Sequence, residues 1–220
     1  KSLKMSTSGF SETYSLKTVR YNGTFQEWIN ISWVGLYANP LYYCRYHVET
    51  FDLDGEIPEI WTVEQDWSVV PSYAFMGING LKQINLHNDI VRIEDGAFYR
   101  CKTLESVNNV PSHISYLGTS AFEGCRNLVS FVVPESITEI SDSCFEACTS
   151  LTNINIPVGV TAIKNDAFAN CTNLKVANLH DNIKSIGSQA FFHCESLESL
   201  YIPRDIETLG YRTFIACKSL

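Results

Sequence analysis

The chain has 220 residues, of which 45% are hydrophobic, and a formal net charge of −8. An acidic surface with no Lys/Arg stripe repels phosphate backbones and anionic bilayers, which excludes nucleic acid as a partner. No apolar run approaches the roughly 18 residues of a membrane span, so no membrane insertion is expected in this segment. No signal peptide is visible at Lys1-Ser2-Leu3-Lys4.

In chain order, residues 1–15 read as the tail of a repeat whose full form comes later. Phe10 aligns with Phe98, Met5 with Ile93 and Leu16 with Leu104. Residues 16–40 form an irregular unit. Leu16, Val19 and Tyr21 match the strand half of a repeat, and Asn22-Gly23 is a turn signal. Thr24-Phe25-Gln26-Glu27 has the form of a capping box, which predicts a short helix carrying Phe25, Trp28 and Ile29. Residues 41–80 form an enlarged unit. Asp54-Gly55 between extended segments favours a β-hairpin. Behind it Trp61, Val63, Trp67, Val70, Ala74 and Phe75 resume the lattice.

Residues 81–219 hold six regular repeats of 23–24 residues, starting at Leu81, Leu104, Leu128, Leu151, Leu174 and Leu197. Each carries Ala-Phe-x-x-Cys-x-x-Leu, with minor changes. Phe98, Phe122, Phe145, Phe168, Phe191 and Phe214 are each followed three residues later by Cys101, Cys125, Cys148, Cys171, Cys194 and Cys217. A fixed period of this size marks a stacked repeat protein, here a single solenoid over 1–220. The unit at Leu104 has one extra residue near Asn108-Asn109-Val110, read as a bulge. The last unit carries no capping change and Leu220 opens another, so the chain is expected to be a segment of a longer array.

The unit at Leu151 shows the physics. Alternation at Ile154-Asn155-Ile156 predicts a strand, and Pro157 closes it because proline cannot donate to a ladder. Asp166-Ala167-Phe168 is expected to open a short helical or 3-10 turn on the convex side. One unit cannot bury these faces alone, but a stack makes one core with parallel strands on one face. The lattice cysteines read as a column of buried thiols acting as small hydrophobes. Ile78 at the Cys position supports packing over metal or redox chemistry. A disulfide between stacked copies is within reach of strand spacing, and the sequence leaves it open.

Motifs for chemistry are absent. There is no His-Glu-x-x-His, no Gly-x-Ser-x-Gly and no phosphate loop. His87 and His180 share a repeat position four units apart, about 19 Å at strand spacing, too far to share a metal. Both are read as surface histidines. Cys144 and Cys148 lack a nearby His, and Asp52-x-Asp54-Gly55 lacks the terminal Glu of a calcium loop. Asn22, Asn30 and Asn170 head glycosylation sequons, which matter only in a eukaryotic secretory pathway. No cofactor or metal is expected.

The surface that remains is the outward face of the strands. Its columns are small, polar and largely uncharged, and the candidate partner-contacting residues on it are Gln83, Asn85, Asn108, Val132, Asn153, Asn155, Asn178 and Tyr201. A solenoid presents such columns as an extended surface, which either binds a partner or is simply solvated.

The frame Ile-Pro-x-x-Val-x-x-Ile-x-x-x-Ala-Phe-x-x-Cys, seen in full at residues 156–171, resembles the BspA-like leucine-rich repeat family of bacterial and protist surface proteins. Tyr21-Asn22-Gly23-Thr24-Phe25-Gln26-Glu27-Trp28 and Asn39-Pro40-Leu41-Tyr42-Tyr43 are similar to segments of that family. The resemblance implies an α/β leucine-rich-repeat right-handed solenoid, with a parallel β-sheet on its concave face and short helical or 3-10 turns on its convex side. It also implies export and an extracellular or cell-surface location. It implies a non-enzymatic module for protein binding or adhesion, with a protein or glycan on a host or neighbouring cell as partner. The alternative is a structural spacer within a longer surface protein. No catalytic residue belongs to the family motif.

Overall fold

The computed structural model describes residues 4–5, 18–33, 38–41, 50–53 and 56–220. Two of the expected features, the motif phenylalanine Phe10 and the Asp54-Gly55 turn, lie outside them.

The chain winds through successive coils, and every strand pair among the described residues is parallel. At the N-terminal end β1 (Lys4–Met5) pairs with β3 (Ser32–Trp33), and β2 (Thr18–Tyr21) with β4 (Thr50–Leu53). Because β4 runs parallel to β2 and residues 56–59 form no strand, the described chain around 50–59 does not make the expected hairpin. Between β2 and β3 lies α1 (Phe25–Ile29). Its capping box is present: Thr24 Oγ1 accepts from the Glu27 amide, and the Thr24 amide donates to the Glu27 carboxylate. The helix buries Phe25, Trp28 and Ile29.

The regular coils build two ladders. The first contains β5 (Ile60–Thr62), β7 (Gln83–Asn85) and β9 (Ser106–Asn108). It resumes with β11 (Asn153–Asn155), β13 (Val176–Asn178) and β15 (Ser199–Leu200). The second ladder pairs β6 (Val69–Val70) with β8 (Arg92–Ile93), and an isolated Ile93–Leu117 bridge extends it. Four more strands continue it: β10 (Glu139–Ile140), β12 (Ala162–Ile163), β14 (Ser185–Ile186) and β16 (Thr208–Leu209). The second ladder follows from the aliphatic after the turn, as at Ile140, Ile163 and Ile186. These residues point inward while the preceding Glu139, Ala162 and Ser185 do not.

The third side of each coil differs from expectation. It contains neither α-helix nor 3-10 helix, but consecutive turns. In the coil of Phe75, Ala74 donates to Pro71 O, Met76 to Tyr73 O and Ile78 to Phe75 O. The intervening amides of Tyr73, Phe75 and Gly77 donate instead to Asp95, Ala97 and Tyr99 of the next coil. Helix is blocked because two residues per coil, one on each side of the Phe, are left-handed. Examples are Asp166 (φ 56°) and Asn170 (φ 61°), or Gln189 (φ 57°) and His193 (φ 56°). A left-handed residue reverses the amide direction, so donors that would close a helix reach the neighbouring coil. Gly96 holds one such position, and a Cβ there would lie 2.3 Å from the Tyr73 ring.

The core is one cluster threaded by stacked phenylalanines. From Phe75 to Phe214, successive motif rings are 5.1–5.7 Å apart and within 18° of parallel. The cysteines do more than fill space. Each Sγ–H points at the Phe carbonyl of the preceding coil, at 2.8 Å for Cys101 to Phe75 and 3.1 Å for Cys171 to Phe145. That carbonyl also accepts the amide three residues on in its own coil. Burial pushes the Cys101, Cys125, Cys148 and Cys171 thiols well up from the ordinary range. All seven described cysteines are free.

Candidate binding face

The outward positions of the first ladder are set by pleat alternation. In β11 the pattern is exposed, buried, exposed, with Ile154 inward and Asn153 and Asn155 outward, and β13 repeats it. Register aligns Gln83 with Ser106 and Asn85 with Asn108 in one half, and Asn153 with Val176 and Asn155 with Asn178 in the other. Tyr201 follows β15 on the same line and is 50% exposed. Seven of the eight sequence-derived residues therefore extend from strands of one ladder or stand just past one. The eighth, Val132, lies in the stretch 128–133, which forms no strand.

That stretch divides the face. The residue at its inward centre is Phe131, where other coils have Ile84, Val107 or Ile154. Its ring wedges between Phe122 (4.7 Å) and Phe145 (5.4 Å). The preceding coil carries the extra residue, with Asn109 left-handed at φ 55°. The only links to adjacent strands are long, 3.3 Å from the Val129 amide to Glu105 O and 3.4 Å from the Thr152 amide to Val129 O.

The two halves differ in chemistry. On the N-terminal half the amides bond one another. Asn108 Nδ2 donates to Asn85 Oδ1 (3.2 Å), Gln83 Nε2 to the same oxygen (2.9 Å), and Asn85 Nδ2 to Thr62 Oγ1 (3.3 Å). From the break onward exposed apolar side chains accumulate: Val129, Val132, Val158, Val176 and Tyr201, with Val132 72% exposed. Asn153, Asn155 and Asn178 lie exposed among them. The Tyr201 hydroxyl donates to Asp181 at 2.5 Å, which holds its pKa above the ordinary phenol range.

The histidines sit differently from expectation. The His87 side chain is only 9% exposed. Its Nε2 donates to Glu64 O at 2.8 Å and its Nδ1 accepts the Asp89 amide at 3.3 Å. His180 repeats this with Pro157 O and the Asn182 amide. Both occupy the position of Pro111, Pro134 and Pro157, and they fasten the strand exit through hydrogen bonds rather than a fixed φ.

Sequence reasoning missed a further column. Asp95, Asp142, Asn165 and Ser188 each accept, through the side chain, the amide of the same position one coil on. A recurring short acceptor at a 23–24-residue step was the available signal. It also missed a cluster beside this column. The Arg92 guanidinium lies 4.2 Å over the Tyr116 ring, and the Tyr116 hydroxyl donates to Asp95. Burial, then this bond, pushes the Tyr116 phenol up to about 12. Among the described residues no group of three or more His, Cys, Asp or Glu is arranged to hold a metal ion, and no helix is long and apolar enough to cross a membrane.

Solved structures share this architecture. A leucine-rich repeat protein from Bacteroides ovatus is 27% identical with a TM-score of 0.70, over 73% of this chain and 44% of that one. A leucine rich cell surface protein from Faecalibacterium prausnitzii is 26% identical with a TM-score of 0.66, over 74% of this chain and 46% of that one. A leucine-rich repeat protein from T. pallidum is 25% identical with a TM-score of 0.64, over 77% of this chain and 74% of that one. The chain thus spans less than half the length of the first two. No curated protein matches the sequence. The BspA type leucine rich repeat region matches in six copies, over residues 57–109, 68–187 and 106–220. The ladder, the Phe stack and these matches agree, and the chain belongs to the BspA-type leucine-rich repeat family.

Proposed function

We propose that this chain is a non-enzymatic protein-interaction module that works outside the cell or at its surface, with the first-ladder face as its contact surface. The observation that carries the reading is the uneven distribution of chemistry on that face. Exposed apolar residues surrounded by neutral amides are gathered between Val129 and Tyr201. A central apolar patch within a polar surround is the usual anatomy of a protein contact. A bare solvated spacer gains nothing from leaving Val132 and Tyr201 exposed side by side with Asn155 and Asn178. The surface location is supported by family membership and by the F. prausnitzii relative, described as a cell surface protein. Adhesion to a protein or glycan of a host or neighbouring cell is the form of contact this family suggests.

The test is capture on a panel of purified extracellular-matrix proteins and glycans. The native chain should bind at least one. Asn155→Arg with Tyr201→Arg, both at exposed positions, should weaken that binding at least about tenfold while the melting temperature stays unchanged. Undiminished capture by the folded double variant would move the contact off this face. No capture by the native chain would favour the spacer.

A further inference from the structure

A cavity of about 520 Å³ opens between α1 and the loop that follows β5, lined by Gln26, Asn30, Glu64, Gln65, Asp66 and Trp67. None of these belongs to the face described above. The walls are fixed. Phe25 of α1 packs edge-on against Trp61 at 4.9 Å and lies 6.3 Å from Phe75. The Trp67 amide donates to Glu64 O, which also accepts from His87 Nε2.

Trp67 is the anomaly that makes the cavity. It stands at the repeat position of Ile90, Ile114, Ile137, Val160 and Ile183, each no more than 1% exposed. An indole is too large for that slot. Its ring leans on Phe75 at 6.2 Å and the residue stays only partly buried, which leaves aromatic surface at the cavity. The polar lining has a single bias. Gln26 Oε1 is fully buried and has no hydrogen-bond partner among the described residues. Glu64 and Asp66 add two carboxylates that form no ion pair among the described residues, and the lining contains no lysine, arginine or histidine. An orphaned buried acceptor, two uncompensated anions and an indole face all call for a donor-rich cation.

We propose that this cavity receives a cationic side chain, a guanidinium or ammonium group, presented by a protein partner. The cation donates to Gln26 Oε1, lies against Trp67 and is balanced by Glu64 and Asp66. Planar guanidinium fits best, because it stacks on indole while its fork of donors reaches both carboxylates. The inference goes beyond the strand-face reading, and either can fail without the other.

The test follows the Trp67 indole and Gln26 side-chain amide resonances of the 15N-labelled chain during titration with acetyl-Gly-Arg-Gly-amide. The same peptide with citrulline in place of arginine is the neutral isostere. Saturable shifts at both groups are expected with arginine, and at least about tenfold weaker binding with citrulline. Glu64→Gln with Asp66→Asn keeps the shapes of two exposed side chains and should weaken arginine binding by a similar factor. The remaining acidic surface of the chain is left in place, so diffuse attraction of a cation would survive in this variant. Three outcomes would overturn the proposal: no shift at Trp67 and Gln26, equal binding of the citrulline peptide, or undiminished binding by the double variant.

Discussion

At the scale of the residue, the lattice cysteine shows how a small side chain is selected twice over. It fits a site with no exposure, and its S–H reaches the Phe carbonyl one coil back. Reading it as a small hydrophobe explains the first role and misses the second, because a cross-coil bond has no trace within one repeat. Burial holds these thiols protonated, and thiolate is the reactive form. Alkylation of the native chain followed by peptide mapping should therefore modify Cys217, which is only partly buried, before the other five lattice cysteines. Early labelling of Cys148 or Cys171 would contradict the burial described here.

Glu146 illustrates a residue under charge stress. Burial is the main cause that raises its pKa, and the neighbouring Glu123 adds to it. A raised carboxyl pKa means that the native state holds the proton more tightly than the unfolded chain does. The ionised group then costs stability at neutral pH, and the cost fades as pH falls through the raised value toward the unfolded one. Glu146→Gln should raise the melting temperature near neutral pH, and the gain should shrink or vanish near about pH 4. A gain of equal size at both pH values would show that charge is not its origin.

At the scale of the element, the two left-handed residues beside each Phe decide what the third side can be. Nothing in Asp166, Gln189 or Arg212 as residue types demands φ > 0, and helix remained a reasonable expectation from the local pattern. The amides of Phe75, Phe98 and Phe122 find their acceptors in the next coil, so the conformation is imposed by stacking. The break at 128–133 is also a product of stacking. Phe131 and the extra residue near Asn109 are both visible in the sequence, but their effect on the adjacent strands is not. The amides of Ser130, Phe131, Val132 and Val133 donate to no backbone carbonyl among the described residues. Hydrogen exchange in this stretch should be faster than at β11 and β13, which pair in full register. Protection equal to β11 would mean that the ladder is continuous in solution.

At the scale of the molecule, each coil touches only its neighbours, so stability is a sum over units and interfaces. All four tryptophans lie between residues 28 and 67, at one end of the array. Phe168 is stacked on Phe145 and Phe191 at 5.6 and 5.3 Å, four coils beyond Phe75. Phe168→Ala leaves a cavity worth about 3–5 kcal/mol. In urea, the far-UV circular dichroism transition of this variant should fall to lower denaturant than its tryptophan fluorescence transition. Coincident transitions would show the array to be one cooperative unit, and an unchanged midpoint by both probes would remove Phe168 from the core.

The period, the inward Phe, Cys and Leu, the capping box at Thr24 and the outward columns were all legible in the residues. Each depends on hydrophobic alternation or on contacts a few residues long. The sequence by itself determined that the chain is a stack, which residues face its core and which remain outside. Tertiary structure alone decided the left-handed wall, the S–H bonds to Phe carbonyls, the buried seat of His87, the broken first ladder and the cavity beside Trp67. Each of those depends on a partner at least a full coil away, and a residue's identity carries no record of the group that will lie above it.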